Sequence, residues 1–143
     1  GLLRPLDKIQ AYRLEMGTVL KTDKGKNLYE FWGDAITHLL HEDIKKINAQ
    51  WLLNLASQEY CKALSLNQLG VPIIDTTFLE RSGGKTRFIS FSAKTARGLM
   101  ARWVCMSKPK KLNDFKKFNL GGYQFDPSVS ENTRLVFVKN KVA

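Results

Sequence analysis

Apolar residues recur along this chain with two periods, and the period assigns the elements. Trp32, Ile36, Leu39, Leu40 and Ile47 follow one another at steps that place side chains on one face of a helix. Asn27 stands before them as an N-cap, with Glu30 three residues later as in a capping box. A helix is predicted over 28–47. The run Trp51-Leu52-Leu53-Asn54-Leu55-Ala56 reads as a short buried strand, and Ser57 caps a short helix over 58–64 that breaks at 67–70. Residues 71–80 are rich in Val, Ile, Thr and Phe. They turn at Ser82-Gly83-Gly84-Lys85 and return over 86–91, which predicts a hairpin. A second long helix begins at Ser90 or Ser92 and ends near Met106, with Ala96, Leu99, Met100 and Trp103 on one face. A lysine-rich connector over 107–117 contains Pro109; Gly121-Gly122 forms a turn; and 134–139 alternate as a last strand. The first 20 residues, punctuated by Pro5 and Gly17, have no period, and 22–26 form a polar turn. The class is α+β: a small mixed sheet with a hairpin, flanked by two main helices.

Length and composition narrow the picture. At 143 residues and 43% hydrophobic, the chain can bury a core of its own and is not a disordered segment. No apolar run approaches the roughly 18 residues of a membrane span, so no membrane partner is expected. The opening Gly1-Leu2-Leu3-Arg4-Pro5 has neither an initiator Met nor the pattern of a signal peptide. The chain therefore reads as a piece of a longer fold. Cys61 and Cys105 are too few for a disulfide framework or a zinc site, and both are expected to be small buried side chains in helices. Charge is more informative. Lys and Arg number 23 against 13 Asp and Glu, a net +10 with pI near 9.8, a balance that favours polyanionic partners.

Four segments carry candidate chemistry. On the helix over 92–106, Lys94, Arg97 and Arg102 fall on or near the side opposite the apolar face. The positive end of the helix lies near Lys94, an arrangement that suits phosphate, although a solvated basic face has the same pattern. Arg13 offers a fork for phosphate or carboxylate and Glu15 an acceptor, or the two pair with each other. Asn54, Ser57, Glu59 and Tyr60 follow a buried strand, where polar groups often line a site, while capping alone accounts for Ser57. Lysines 108, 110, 111, 116 and 117 interleave with Phe115 and Phe118; they can track a nucleic-acid backbone or belong to a solvated connector. Phosphate-binding loops and dinucleotide fingerprints are absent. His38 and His41 lack further ligands, so neither metal nor cofactor is expected.

Several phrases together resemble the peroxide stress protein YaaA family. They are Leu3-Arg4-Pro5-Leu6-Asp7, Tyr12-Arg13-Leu14-Glu15-Met16-Gly17, Leu28-Tyr29-Glu30-Phe31-Trp32-Gly33-Asp34, Asn54-Leu55-Ala56-Ser57 with Glu59-Tyr60, Ala93-Lys94 with Ala96-Arg97-Gly98-Leu99-Met100, and Gly122-Tyr123. Ser92 stands where an aromatic residue is expected. The resemblance implies a cytoplasmic bacterial protein induced by peroxide. Such a protein limits free intracellular iron, spares DNA from oxidative damage and binds duplex DNA in a positively charged cleft. It also implies that residues 1–143 are the C-terminal part of one larger compact domain. The family's helix-hairpin-helix and Ser-Pro-Ala-Lys elements would lie before Gly1, in an N-terminal half that would be this chain's structural partner. No enzyme activity carries over. On this reading Arg4, Arg13, Lys94, Arg97 and Arg102 meet DNA, beside a polar pocket of Glu15, Asn54, Ser57, Glu59 and Tyr60. The competing reading is an enzyme acting on nucleic acid or nucleotide, with its pocket around Arg13, Asn54, Glu59, Lys94 and Arg97.

Overall fold

The computed structural model describes residues 3–4, 6–10 and 13–140. The chain divides into two units: Gly1–Gln50 with Ala56–Val71, and Trp51–Leu55 with Pro72–Ala143.

The first unit is helical. It holds α1 (Leu28–Trp32), α2 (Ala35–Lys46), α3 (Gln58–Cys61) and a 3-10 turn at Leu66–Gln68. The single helix expected over 28–47 is in fact two. Gly33 adopts φ 46°, ψ −127°, a conformation that a side chain disfavours and that turns the backbone out of the helix. The start of the helix is as expected, since the Asn27 side chain accepts the Glu30 N–H at 3.0 Å. Glu30 accepts from the Lys26 N–H at 2.8 Å, one residue further back than a capping box places it. Among the described residues Met16, Ile44 and Leu69 are the buried apolar residues of this unit. Thr37 is buried with them, and its hydroxyl accepts the Ser65 N–H at 3.0 Å. His41 spends Nδ1 on the Leu69 carbonyl, 3.1 Å away. The short helix opened by Ser57 ends at Cys61, earlier than expected. Ala63 and Leu64 bond three residues back instead of four, which tightens the turn.

The second unit is a helix on a mixed sheet. Its elements are β1 (Leu52–Asn54), β2 (Ile73–Ser82), β3 (Lys85–Arg87), α4 (Ser90–Ser107), α5 (Leu112–Phe115), β4 (Tyr123–Phe125) and β5 (Arg134–Asn140). The strand order is β1-β2-β5-β4, with β3 folded back on the end of β2. β1 and β5 both run parallel to β2, and the central β2–β5 ladder extends from Asp75↔Arg134 to Arg81↔Asn140. Alternate residues of these strands, Ile74 and Phe78 of β2 with Leu135 and Phe137 of β5, meet Ala93, Ala96 and Met100 of α4 in one core. The Phe78 ring stacks on Phe137 and meets Tyr123 edge-on, each at 5.5 Å between centroids. Fully burying each such ring contributes roughly 1.5–3 kcal/mol.

Two elements of this unit were not expected. The connector contains α5, whose Phe115, like Phe118 after it, lies in the core and so is not a surface for stacking bases. β4 follows the Gly121-Gly122 turn and pairs antiparallel with β5. Gly121 has φ 64°, and a Cβ there would sit 2.7 Å from Leu99 Cδ1, so only glycine lets the turn press against α4. The return strand of the hairpin is shorter than expected. Pairing stops at Arg87, leaving Phe88, Ile89 and Phe91 exposed at the start of α4.

Candidate nucleic-acid interface

The basic candidates separate by whether their charge is already compensated. Arg4 pairs with Asp43, and its own N–H donates to Asp7 Oδ2 at 2.7 Å. Arg13 pairs with Glu15 on the surface. Both therefore have local structural partners, in ion pairs worth about 0–1 kcal/mol each. Among the described residues Lys94, Arg97 and Arg102 form no ion pair. All three lie on α4, where 100° per residue separates the sheet-facing Ala93, Ala96 and Met100 from the outer face. Lys94 and Arg102 are exposed on that outer face; Arg97 lies on its flank, half-buried. Between them run Gly98, Ala101 and Cys105, all exposed, so the basic stripe is sparse and low in relief. The exposure of Cys105 corrects the expectation of a buried thiol: the helical rotation carries it outward.

The helix starts at the earlier of its two expected positions, which changes where Lys94 stands. α4 begins at Ser90 after Ile89, which supplies no side-chain cap, and the Ala93 N–H already bonds the Ile89 carbonyl at 2.9 Å. The N–H groups without a helical acceptor belong to residues 90–92, so Lys94 sits one turn inside the helix rather than at its open end. β3 contributes exposed Lys85 and Arg87 immediately before α4. The hairpin turn alone did not mark them, although charges flanking a Gly-Gly turn are a usable signal.

The polar candidates divide between the two units. In the first, Glu59 Oε1 accepts the Met16 N–H at 2.9 Å, the Tyr60 hydroxyl donates to the Leu14 carbonyl at 3.0 Å, and the Tyr29 hydroxyl donates to the Glu59 carbonyl at 2.9 Å. Ser57 caps α3 by accepting the Tyr60 N–H at 3.5 Å, a long bond. Three separate stretches of sequence thus meet in one hydrogen-bonded knot. In the second unit Asn54 donates to Asp75 Oδ1 at 2.7 Å, and the Thr76 hydroxyl donates to the Asn54 carbonyl at 3.1 Å. Asp75 had not been singled out, because nothing in an alternating strand marks one acid as a partner. Pro5 and Tyr12, which belong to the motif phrases, and Gly1 and Leu2 lie outside the described residues.

Two titrating groups report their surroundings. Hydrogen bonds from Ser128 and then Arg81 hold the Asp126 carboxyl below the usual carboxylate range. Burial, and then the Glu80 carboxylate, push the Tyr123 hydroxyl above its ordinary value.

Fold and site together define an α+β protein with an uncompensated basic helix on one face of a small mixed sheet. The chain belongs to the peroxide stress protein YaaA family, which matches residues 1–129. It is 48% identical over 139 residues to a UPF0246 protein of Idiomarina loihiensis, covering 97% of this chain and 54% of that protein. It is 48% identical over 143 residues to a UPF0246 protein of a Marinomonas species, covering 100% of this chain and 54% of that protein. A UPF0246 protein of Hahella chejuensis is 44% identical over 140 residues, 98% of this chain and 55% of its own length. The chain spans about half the length of the curated relatives it matches. No helix among the described residues is long and apolar enough to cross a membrane.

Proposed function

We propose that the full-length protein binds duplex DNA during peroxide stress in the cytoplasm and lowers free intracellular iron, and that α4 supplies part of the DNA contact. The observation that supports this most is the set of three α4 cations without ion pairs in a chain of net charge +10. A helix fixes the direction of these side chains, so less ordering entropy opposes each phosphate contact than on a loop. Arg4 and Arg13, in the first unit, have a secondary role in this reading, because DNA must first displace their carboxylate partners. An N-terminal half supplied by the longer protein is the proposed structural partner of this chain.

The enzyme reading draws its support from the Asn54–Asp75 pair at the end of a parallel strand, a place where α/β sheets often bind ligands. Against it, Ser57, Glu59 and Tyr60 are occupied in holding local backbone. Duplex binding by the full-length protein separates the readings. Lys94→Ala and Arg97→Ala should each cost about 1–2 kcal/mol, the scale of a charged hydrogen bond. Lys110→Ala/Lys111→Ala should cost less. Equal losses from the connector pair with the fold intact would misplace the interface. Peroxide sensitivity with unchanged DNA binding would favour the enzyme.

A further inference from the structure

A cleft of about 420 Å³ lies where α4 ends, entirely within the second unit. Trp103 forms part of its wall, and Lys108, Lys110, Lys111 and Lys117 line it against a single carboxylate, Asp114. That carboxylate is already occupied: it accepts the Lys117 ammonium at 3.0 Å and the backbone N–H groups of Lys110 and Lys111 at 3.1 and 3.0 Å. Among the described residues Lys108, Lys110 and Lys111 have no ion pair. One or two cations would complement the negative end of a helix; four exceed that need. Lys116, by contrast, lies over the Phe125 ring at 5.5 Å and is not part of the lining.

Two further features mark the cleft. Lys108 closes α4 in the left-handed conformation, φ 47°, ψ 56°, where glycine is the usual residue. A lysine at such a position keeps its strain where the side chain has a use. The Trp103 indole is held from behind by Phe118, edge-on at 5.9 Å, and by Phe115 at 6.5 Å. Trp103 thus lines the cleft beside the lysines while it packs on the core.

We propose that this cleft binds a nucleotide, its phosphates among the ammonium groups of Lys108, Lys110 and Lys111 and its base against Trp103. Small-ligand sites occupy about 300–1,000 Å³, which fits this space. The ligand is a free nucleoside polyphosphate or the phosphorylated end of a strand; both present a terminal phosphate and an unstacked base. The site is separate from the duplex surface on α4, and the two proposals fail separately.

The test is calorimetric titration of the full-length protein with ATP, inorganic tripolyphosphate, and a single-stranded oligonucleotide with and without a 5′-phosphate. ATP or the phosphorylated oligonucleotide should bind more tightly than tripolyphosphate, and whichever is tighter identifies the source. Lys110→Ala/Lys111→Ala should weaken that binding at least tenfold while Lys46→Ala, exposed on α2, leaves it unchanged. Lys108→Gly should weaken it without lowering the melting temperature, an effect that a purely structural lysine would not produce. Tripolyphosphate as tight as both nucleotides would overturn the assignment to a nucleotide. No binding at millimolar concentrations by folded protein, or binding indifferent to the lysine variants, would overturn the site.

Discussion

Single residues in this chain do their work through charge compensation and backbone permissiveness. Asp126 shows the first. Its carboxylate accepts from Ser128 and Arg81 most strongly when ionised, and these bonds hold its pKa below that of the unfolded chain. A lowered native pKa contributes stability above the unfolded carboxyl value of about 3.9, and that contribution is lost as pH falls below it. Acid unfolding of an Asp126→Asn variant should accordingly lose less stability between about pH 5 and 3 than the wild type; an identical acid limb would contradict the assignment. Gly121 shows the second. Gly121→Ala should destabilise by roughly 2 kcal/mol in denaturant titration, because the new Cβ meets both a positive φ and the Leu99 side chain. The sequence marked Gly121-Gly122 as a turn, but the close approach to Leu99 is a tertiary fact that no local pattern contains.

At the scale of elements, apolar period was a good guide where a segment is long and sided. α4 and β5 lie within a residue or two of their expected bounds, but β5 does not alternate as expected: Leu135, Val136, Phe137 and Val138 are all buried, as in a strand covered on both faces. Short segments escaped. β4 has three residues and an exposed Gln124 at its centre, so it offers too few positions to show alternation. α5 is hidden among lysines that dominate the local composition, although Phe115 is wholly buried. The split between α1 and α2 escapes the apolar period because Trp32, Ile36, Leu39 and Leu40 keep helical spacing across Gly33. Its backbone angles predict that Gly33→Ala costs about 1–3 kcal/mol instead of fusing the two helices; a rise in helical circular dichroism with raised stability would contradict that. In the core, Phe78 touches three other rings, so Phe78→Ala should cost about 3–5 kcal/mol.

For the whole molecule, charge and family are the informative levels. The motif phrases identified the family because several must occur together and in order, and three of them meet in the knot around Glu59 and Tyr60. Which basic residues stay uncompensated was not legible, since the partners of Arg4 and Arg13 emerge only once the chain is folded. Phe88, Phe91 and Met106 are 56%, 81% and 77% exposed on a chain half the length of its relatives, and burying them is a task the longer protein can perform. The 143-residue chain alone should therefore bind a hydrophobic dye more strongly than the full-length protein. The central claim is duplex binding, and its most direct test is fluorescence anisotropy of a labelled duplex with full-length protein between about 50 and 200 mM salt. Log K should fall linearly with log salt by roughly 0.9 per phosphate contact, and Lys94→Ala should remove about one contact from the slope. An affinity that does not change across this range, or no binding even at the lowest salt, would contradict it.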